Sequence, residues 1–227
     1  MFIALSVALY NQNIFASEKI KIWGRGVDRH QFHPKYRSEA WRSRFQRDPN
    51  SSVILWVSRL VAEKNVAIFE QSVQRAMSDN PNLTPIIVGE GPLRKKMMRR
   101  HPQWHFLGTL TGNELSTAYA SADMFVFPSI SETFGNVVLE ALSSGCPVIA
   151  SDYPVNRHLV THNQNGVLCD PNSSQAFTEA ILKLADQTEM RSDLSKSGEQ
   201  TASHYDQMTI HHQFLTSILE LIKEKKR

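Results

Sequence analysis

Five short apolar runs, VILWVS at 53–58, PIIVG at 85–89, WHFLG at 104–108, DMFVFP at 123–128 and PVIAS at 147–151, are each followed by a stretch with helical or turn character. Near-continuous apolar strands of this length are buried on both faces, and a helix after each returns the chain so that the next strand pairs in parallel. The helices are expected at 65–77, from Pro92 to about Arg100, at 114–122 and at 134–145. A short sixth strand is expected in GVLCD at 166–170, and three more helices at 174–186, 189–203 and 206–225. The chain is therefore predicted to be α/β, a doubly wound, Rossmann-like parallel sheet of about six strands with extra C-terminal helices.

In such a sheet ligands bind outside the carboxyl ends of the strands, and the unusual residues fall there. SRLVAEKN follows the first strand and carries Arg59 and Lys64, two cations suited to an anion such as a diphosphate. Solvated surface charges are the plain alternative. GEGP follows the second strand. It matches only part of G-x-G-x-x-G, because Arg94 stands where the third glycine would be, so a dinucleotide fingerprint is excluded. Gly89 and Gly91 either turn the backbone or admit a ligand. Gly108, Thr109 and Leu110 follow the third strand, SETFGN the fourth, and Asp152 the fifth.

SETFGNVVLEALSSG, at 131–145, places Glu132 before a helix and Glu140 within it. At about 100° per residue, Phe134, Val137, Val138, Ala141 and Leu142 make one apolar face, with Asn136, Glu140 and Ser143 opposite. The free amides at the helix start, around Phe134 to Asn136, suit an anion, and Gly135 permits close approach of a ligand. One carboxylate beside the anion and one two turns along could accept hydrogen bonds from hydroxyls. E-x7-E alone is a weak pattern.

Composition removes several classes of partner. A net charge of +3 gives no case for nucleic acid. Two H-x-x-x-H spacings occur, His101 with His105 (HPQWH) and His158 with His162 (HLVTH), but neither carries the glutamate of H-E-x-x-H; no D-x-D occurs to bridge a metal and diphosphate, and the two cysteines have no ligand spacing. A reduced, cytoplasmic compartment is the expectation. MFIALSVALY at 1–10 is shorter than the roughly 20 residues of a membrane span and lacks the basic start of a signal peptide. The basic run LRKKMMRRH at 93–101 reads as a solvated face, with anionic lipid headgroups as the alternative partner.

Together, IWGRGVDRHQFHP (22–34), SRLVAEKN (58–65), VGEGPLR (88–94), FLG (106–108), YASADMFVFPSISETFGNVVLEALSSGCPVIASD (119–152) and NGVLCDP (165–171) resemble, in order and spacing, the carboxyl-terminal half of a family-4 retaining glycosyltransferase of the GT-B fold. The resemblance covers about residues 20–225. It implies a nucleotide-diphospho-sugar donor, no cofactor and no required metal. Arg59 and Lys64 would bind the diphosphate, Glu132 the donor sugar, and the amides of Thr133, Phe134, Gly135 and Asn136 phosphate and sugar. Glu140 would take the ribose hydroxyls, Thr109 and Leu110 would lie by the base, and Gly89 belongs to the same donor set. The residues implied in catalysis are Glu132, Arg59 and Lys64. The WGRGVD hinge is most similar to that of bacterial and plastid enzymes adding mannose or sulfoquinovose to glycolipids, which implies a lipid acceptor and peripheral membrane attachment.

The resemblance also sets the expected organisation. Residues 1–22 would be a remnant of a missing N-terminal domain, 23–50 a hinge, 51–205 the nucleotide-sugar-binding domain and 206–227 a crossover helix. A separately encoded N-terminal half is the implied partner for catalysis; binding without transfer is the alternative.

Overall fold

The computed structural model describes residues 25–46 and 48–225, so the expectations for 1–22 and for the apolar run at 1–10 lie outside the described residues. The chain enters through a one-turn helix α1 (Glu39–Arg42) and then alternates β1 (Ser52–Val57), α2 (Val66–Asp79), β2 (Leu83–Val88), α3 (Arg94–Arg100), β3 (His105–Gly108), α4 (Gly112–Ser121) and β4 (Met124–Phe127). It continues through α5 (Asn136–Ser143), β5 (Val148–Ser151), α6 (Pro154–Leu159) and β6 (Val167–Cys169), and finishes with α7 (Ser174–Asp186), α8 (Thr188–Ser203) and α9 (Gln207–Lys225). Each predicted strand and helix is present, with bounds within two residues of those expected.

The sheet has six strands in the order β3-β2-β1-β4-β5-β6, and every pairing is parallel. The doubly wound expectation is met. β1 is the first strand laid down, and later strands add on both sides of it. The order reverses between β1 and β4, leaving a crevice at their carboxyl ends where such sheets place ligands.

Burial on both faces explains why the central strands read as unbroken apolar runs. Residues 53–56 of β1, Ile86 and Ile87 of β2 and all of β4 are inaccessible to solvent. Trp56 packs on Phe69 of α2 at 4.2 Å between ring centroids, and Phe125 lies beside Tyr119 of α4 and Phe127. On one side α2 lies against α7, where the Thr178 hydroxyl donates to the Ser72 carbonyl. On the other, α5 lies against α8 so closely that a methyl group on Gly198 would stand 3.0 Å from Leu142.

Three details depart from the sequence reading. α6 was not predicted: PVNRHL makes barely two turns and buries only Asn156 and Leu159, too little for a periodicity to register. α5 starts at Asn136, because Gly135 adopts a left-handed conformation (φ 81°) that turns Phe134 off the helix and onto the edge of Tyr205. Finally, α5 is not one-faced. Leu139 and Ser143 are buried as well, and the Ser143 hydroxyl donates to the Phe32 carbonyl at 2.7 Å, because the entering segment and α8 cover the side expected to face water.

The segment before β1 is fastened to the sheet by a buried cation. Arg42 donates to the Ser121 carbonyl (2.7 Å) and to Asp123 (2.9 Å), and the same Asp123 oxygen accepts the Val53 amide (2.7 Å). Arg42→Ala would leave Asp123, at the start of β1 and β4, with only the longer 3.7 Å contact to the more exposed Arg37. A loss of about 3 kcal/mol in unfolding free energy is expected, measured by urea denaturation.

Candidate functional site

Three turns leave the sheet's carboxyl edge around the switch point, and packing fixes the first two to each other. Leu60 donates to the Glu90 carbonyl, and Leu93 donates to that of Leu60. A Cβ on Gly89 (φ 129°) would sit 2.0 Å from the Ser58 carbonyl oxygen, and one on Gly91 2.5 Å from that of Leu60. The approach of a neighbouring turn therefore accounts for both glycines of GEGP, without a ligand.

After β1 a 3-10 turn (Ala62–Lys64) carries Lys64 inward. Its side chain is only 10% exposed, and its ammonium donates to Glu132 Oε1 at 2.5 Å and to the Ser131 carbonyl at 2.7 Å. Glu132 arrives on the loop after β4, so this contact spans the crevice between β1 and β4. Ser129, fully buried, donates its hydroxyl to the same carboxylate oxygen at 3.1 Å. A fixed ammonium and a fixed carboxylate thus share the switch point. Neither is surrounded by the water that would weaken its interaction with a ligand.

Arg59 is placed differently. Its side chain is 70% exposed and paired with Glu63 at 2.6 Å, so it stands at the rim with only a surface partner to give up. Thr133 and Asn136 are exposed, while Phe134 and Gly135 are buried. Gly135 caps α5 with no side-chain hydrogen bond, and the first intrahelical donors back to it are Val138 and Leu139. The amides of Asn136 and Val137 are thereby free of helical partners, as at any helix start. Thr109 is exposed; Leu110 is half-buried and lines a hollow of about 300 Å³ with Trp41, Phe45 and Thr117.

Glu140 faces another hollow. It accepts a hydrogen bond from the Tyr119 hydroxyl at 3.0 Å and, with Asn136, lines a cavity of about 200 Å³ closed by Asp28, Gln31, Phe32 and Gln207. The structure therefore joins Lys64 to Glu132 directly, and links Glu140 to them only through the first turn of α5. Burial raises the Glu140 carboxyl to about 7, with the Tyr119 hydrogen bond opposing part of the rise. Burial and the nearby carboxylate hold the Tyr119 phenol well above its ordinary value, so it stays a donor.

Sequence reasoning passed over Ser129, Tyr119 and Asn65, which touch or neighbour these groups. Asn65 alone left a signal: it follows Lys64 in SRLVAEKN, where a tight exit turn calls for a residue tolerant of positive φ.

A model of the family described as glycosyl transferases group 1 matches residues 37–201, which include every residue of the site except Asp28, Gln31, Phe32 and Gln207 around the Glu140 hollow. The chain belongs to that family. Among curated relatives of this group 1 domain, the sulfoquinovosyl transferase of Arabidopsis thaliana is 33% identical over 84% of the chain and 38% of its own length. A GDP-mannose-dependent α-mannosyltransferase of Mycolicibacterium smegmatis is 40% identical over 72% of the chain and 42% of its own length. The chain thus spans about two fifths of the length of these relatives. Among solved structures, HepE of Anabaena in complex with UDP and glucose superposes with a TM-score of 0.78 at 24% identity, over 95% of this chain and 60% of that one. The C-terminal domain of the group 1 glycosyl transferase LpcC of Francisella tularensis superposes at 0.69 and 23% identity, over 79% and 97%. These likenesses fix the fold as that of the GT-B glycosyltransferases. Among the described residues no helix is long and apolar enough to cross a membrane.

The raised Glu140 carboxyl carries a stability signature. Its folded value near 7 exceeds the ordinary 4.5, so the folded state holds the proton longer than the unfolded chain. Stability contributed by this group is greatest below about pH 4.5, declines as pH rises to 7, and levels off above. The full change is at most about 3 kcal/mol. Glu140→Gln should flatten that part of the profile, as read from urea denaturation between pH 4.5 and 8.

Proposed function

We propose that the chain is the donor-binding half of a retaining glycosyltransferase of family 4, holding a nucleotide-diphospho-sugar at the β1–β4 crevice. The observation that carries the reading is the Lys64–Glu132 contact across the switch point. An ammonium able to meet a diphosphate and a carboxylate able to meet sugar hydroxyls lie together at the carboxyl edge where such sheets take ligands, which supports this reading. The relatives, GDP-mannose-dependent mannosyltransferases among them, and the UDP and glucose of the HepE complex support the same class of donor.

In this reading the diphosphate draws the Lys64 ammonium and the Arg59 guanidinium, which exchange Glu132 and Glu63 for phosphate oxygens. The amides of Thr133 to Asn136 supply neutral donors and the positive end of α5. Glu132, released from its ion pair, turns to the sugar. Glu140 in its ionised form accepts the ribose hydroxyls, with the base toward Thr109 and Leu110. Catalysis then rests on stabilising charge that develops on the leaving diphosphate, through fixed cations and amides in a site shielded from water. The acceptor, a membrane lipid or a polysaccharide precursor, would be held by a second domain, and departure of the nucleoside diphosphate would complete the cycle.

Lys64→Ala should weaken nucleoside diphosphate binding by roughly 1.5–3 kcal/mol, since a charge-assisted bond is lost. Arg59→Ala should cost less, because its water-exposed charge is screened. Calorimetry with UDP, GDP and ADP, after a thermal-shift panel of the corresponding nucleotide sugars has chosen the base, reads both; unchanged affinity in Lys64→Ala would remove the assignment. Glu140→Gln should weaken nucleoside diphosphate more than inorganic diphosphate, and equal losses would argue against a ribose contact. Binding without transfer is the alternative function, and release of nucleoside diphosphate from the chosen donor on adding acceptor lipid together with a separately supplied N-terminal half separates the two.

A further inference from the structure

Asn65 is one of only two non-glycine residues with positive φ among the described residues (φ 58°, ψ 41°). It ends the 3-10 turn that delivers Lys64 and starts α2, and its backbone carbonyl accepts the Ile68 and Phe69 amides. A helix start usually uses a side-chain oxygen to cap its own amides. Asn65 makes no such bond. Instead its side-chain amide reaches away from its own helix, donating to the Pro128 carbonyl at 3.2 Å and to the Pro171 carbonyl at 2.8 Å. Both protons of the side-chain amide are used. Pro128 directly follows β4 and Pro171 lies two residues past β6, so one side chain ties the turn after β1 to the exits of two other strands.

The first of these bonds closes a ring. From Lys64 the chain passes to Asn65, whose amide holds Pro128. Next along the chain is Ser129, whose hydroxyl donates to Glu132, and Glu132 accepts the Lys64 ammonium. Every link is a covalent step or a hydrogen bond, and the two charged groups of the candidate site are its last members. We propose that Asn65 is a positioning residue, setting the separation of the Lys64 ammonium from the loop that bears Glu132 through its bond to Pro128. This rests on the reading of Lys64 as a diphosphate ligand and adds to it the residue that holds Lys64 in place. A long flexible amine gains from such a hold, because its side-chain freedom is otherwise lost on binding.

The test is a double-mutant cycle on the full chain, with inorganic diphosphate as the probe and calorimetry well below each variant's melting temperature. Asn65→Gly keeps the left-handed backbone and removes the amide. Asn65→Asp keeps the shape and withdraws the donors, but its charge can interact with Lys64 in the native background alone, so the Asn65→Gly arm decides and Asn65→Asp is its companion. Either should weaken diphosphate binding about tenfold in the native background and by less than twofold when Lys64→Ala is already present. A lowered melting temperature with unchanged diphosphate affinity would make Asn65 merely structural and overturn the proposal, as would equal losses in both backgrounds. If Lys64→Ala itself leaves affinity unchanged, it is the diphosphate reading that fails.

Discussion

The adjacency of β1 and β4 is the constraint from which the rest follows. β1 is paired with β2 on one side, so the chain must cross over to lay β4 on the other, and the two exit turns then diverge from neighbouring strands. Divergence leaves room between them that no side chain of the sheet itself can fill. Lys64 comes from one lip of this opening and Glu132 from the other, meeting at 2.5 Å. Two opposite charges that are mostly out of water would be costly singly, and each limits the cost of the other. A ligand that entered would have to offer the same service to both.

Much of this was legible in the chain. Strands buried on both faces leave no doubt about period, and their regular spacing forces the crossovers, so the sheet and its ligand edge follow from VILWVS, PIIVG, WHFLG, DMFVFP and PVIAS alone. What resisted was anything decided by a third element. Ser143 and Leu139 lie where a helix on a sheet would face solvent, but the entering segment around Phe32 and α8 cover them. For the same reason Glu140 occupies a half-closed hollow instead of an open polar face. No pattern within α5 could announce a neighbour more than a hundred positions away.

The glycines and Asn65 make the complementary point. GEGP reads as half a ligand motif, and its glycines answer first to the backbone of the adjoining turn. Asn65 reads as an unremarked polar residue after a lysine, and its amide ties the turn after β1 to the exits of two other strands. Residue type signalled conformation in both cases. Only the tertiary arrangement distinguishes a position shaped by its neighbours from one that faces a guest.

The meeting of Val27 with the start of the last helix has a mechanical consequence. Val27 donates to the Tyr205 carbonyl and accepts the Gln207 amide, and no Cβ could be fitted on Gly26 against Gln207. The incoming segment and the start of α9 are thus stitched by two backbone hydrogen bonds, on the wall of the chamber that holds Glu140. α9 begins at Gln207, which lines that chamber opposite Asn136 and Glu140 of α5, so the seating of the last helix helps to set the chamber's width.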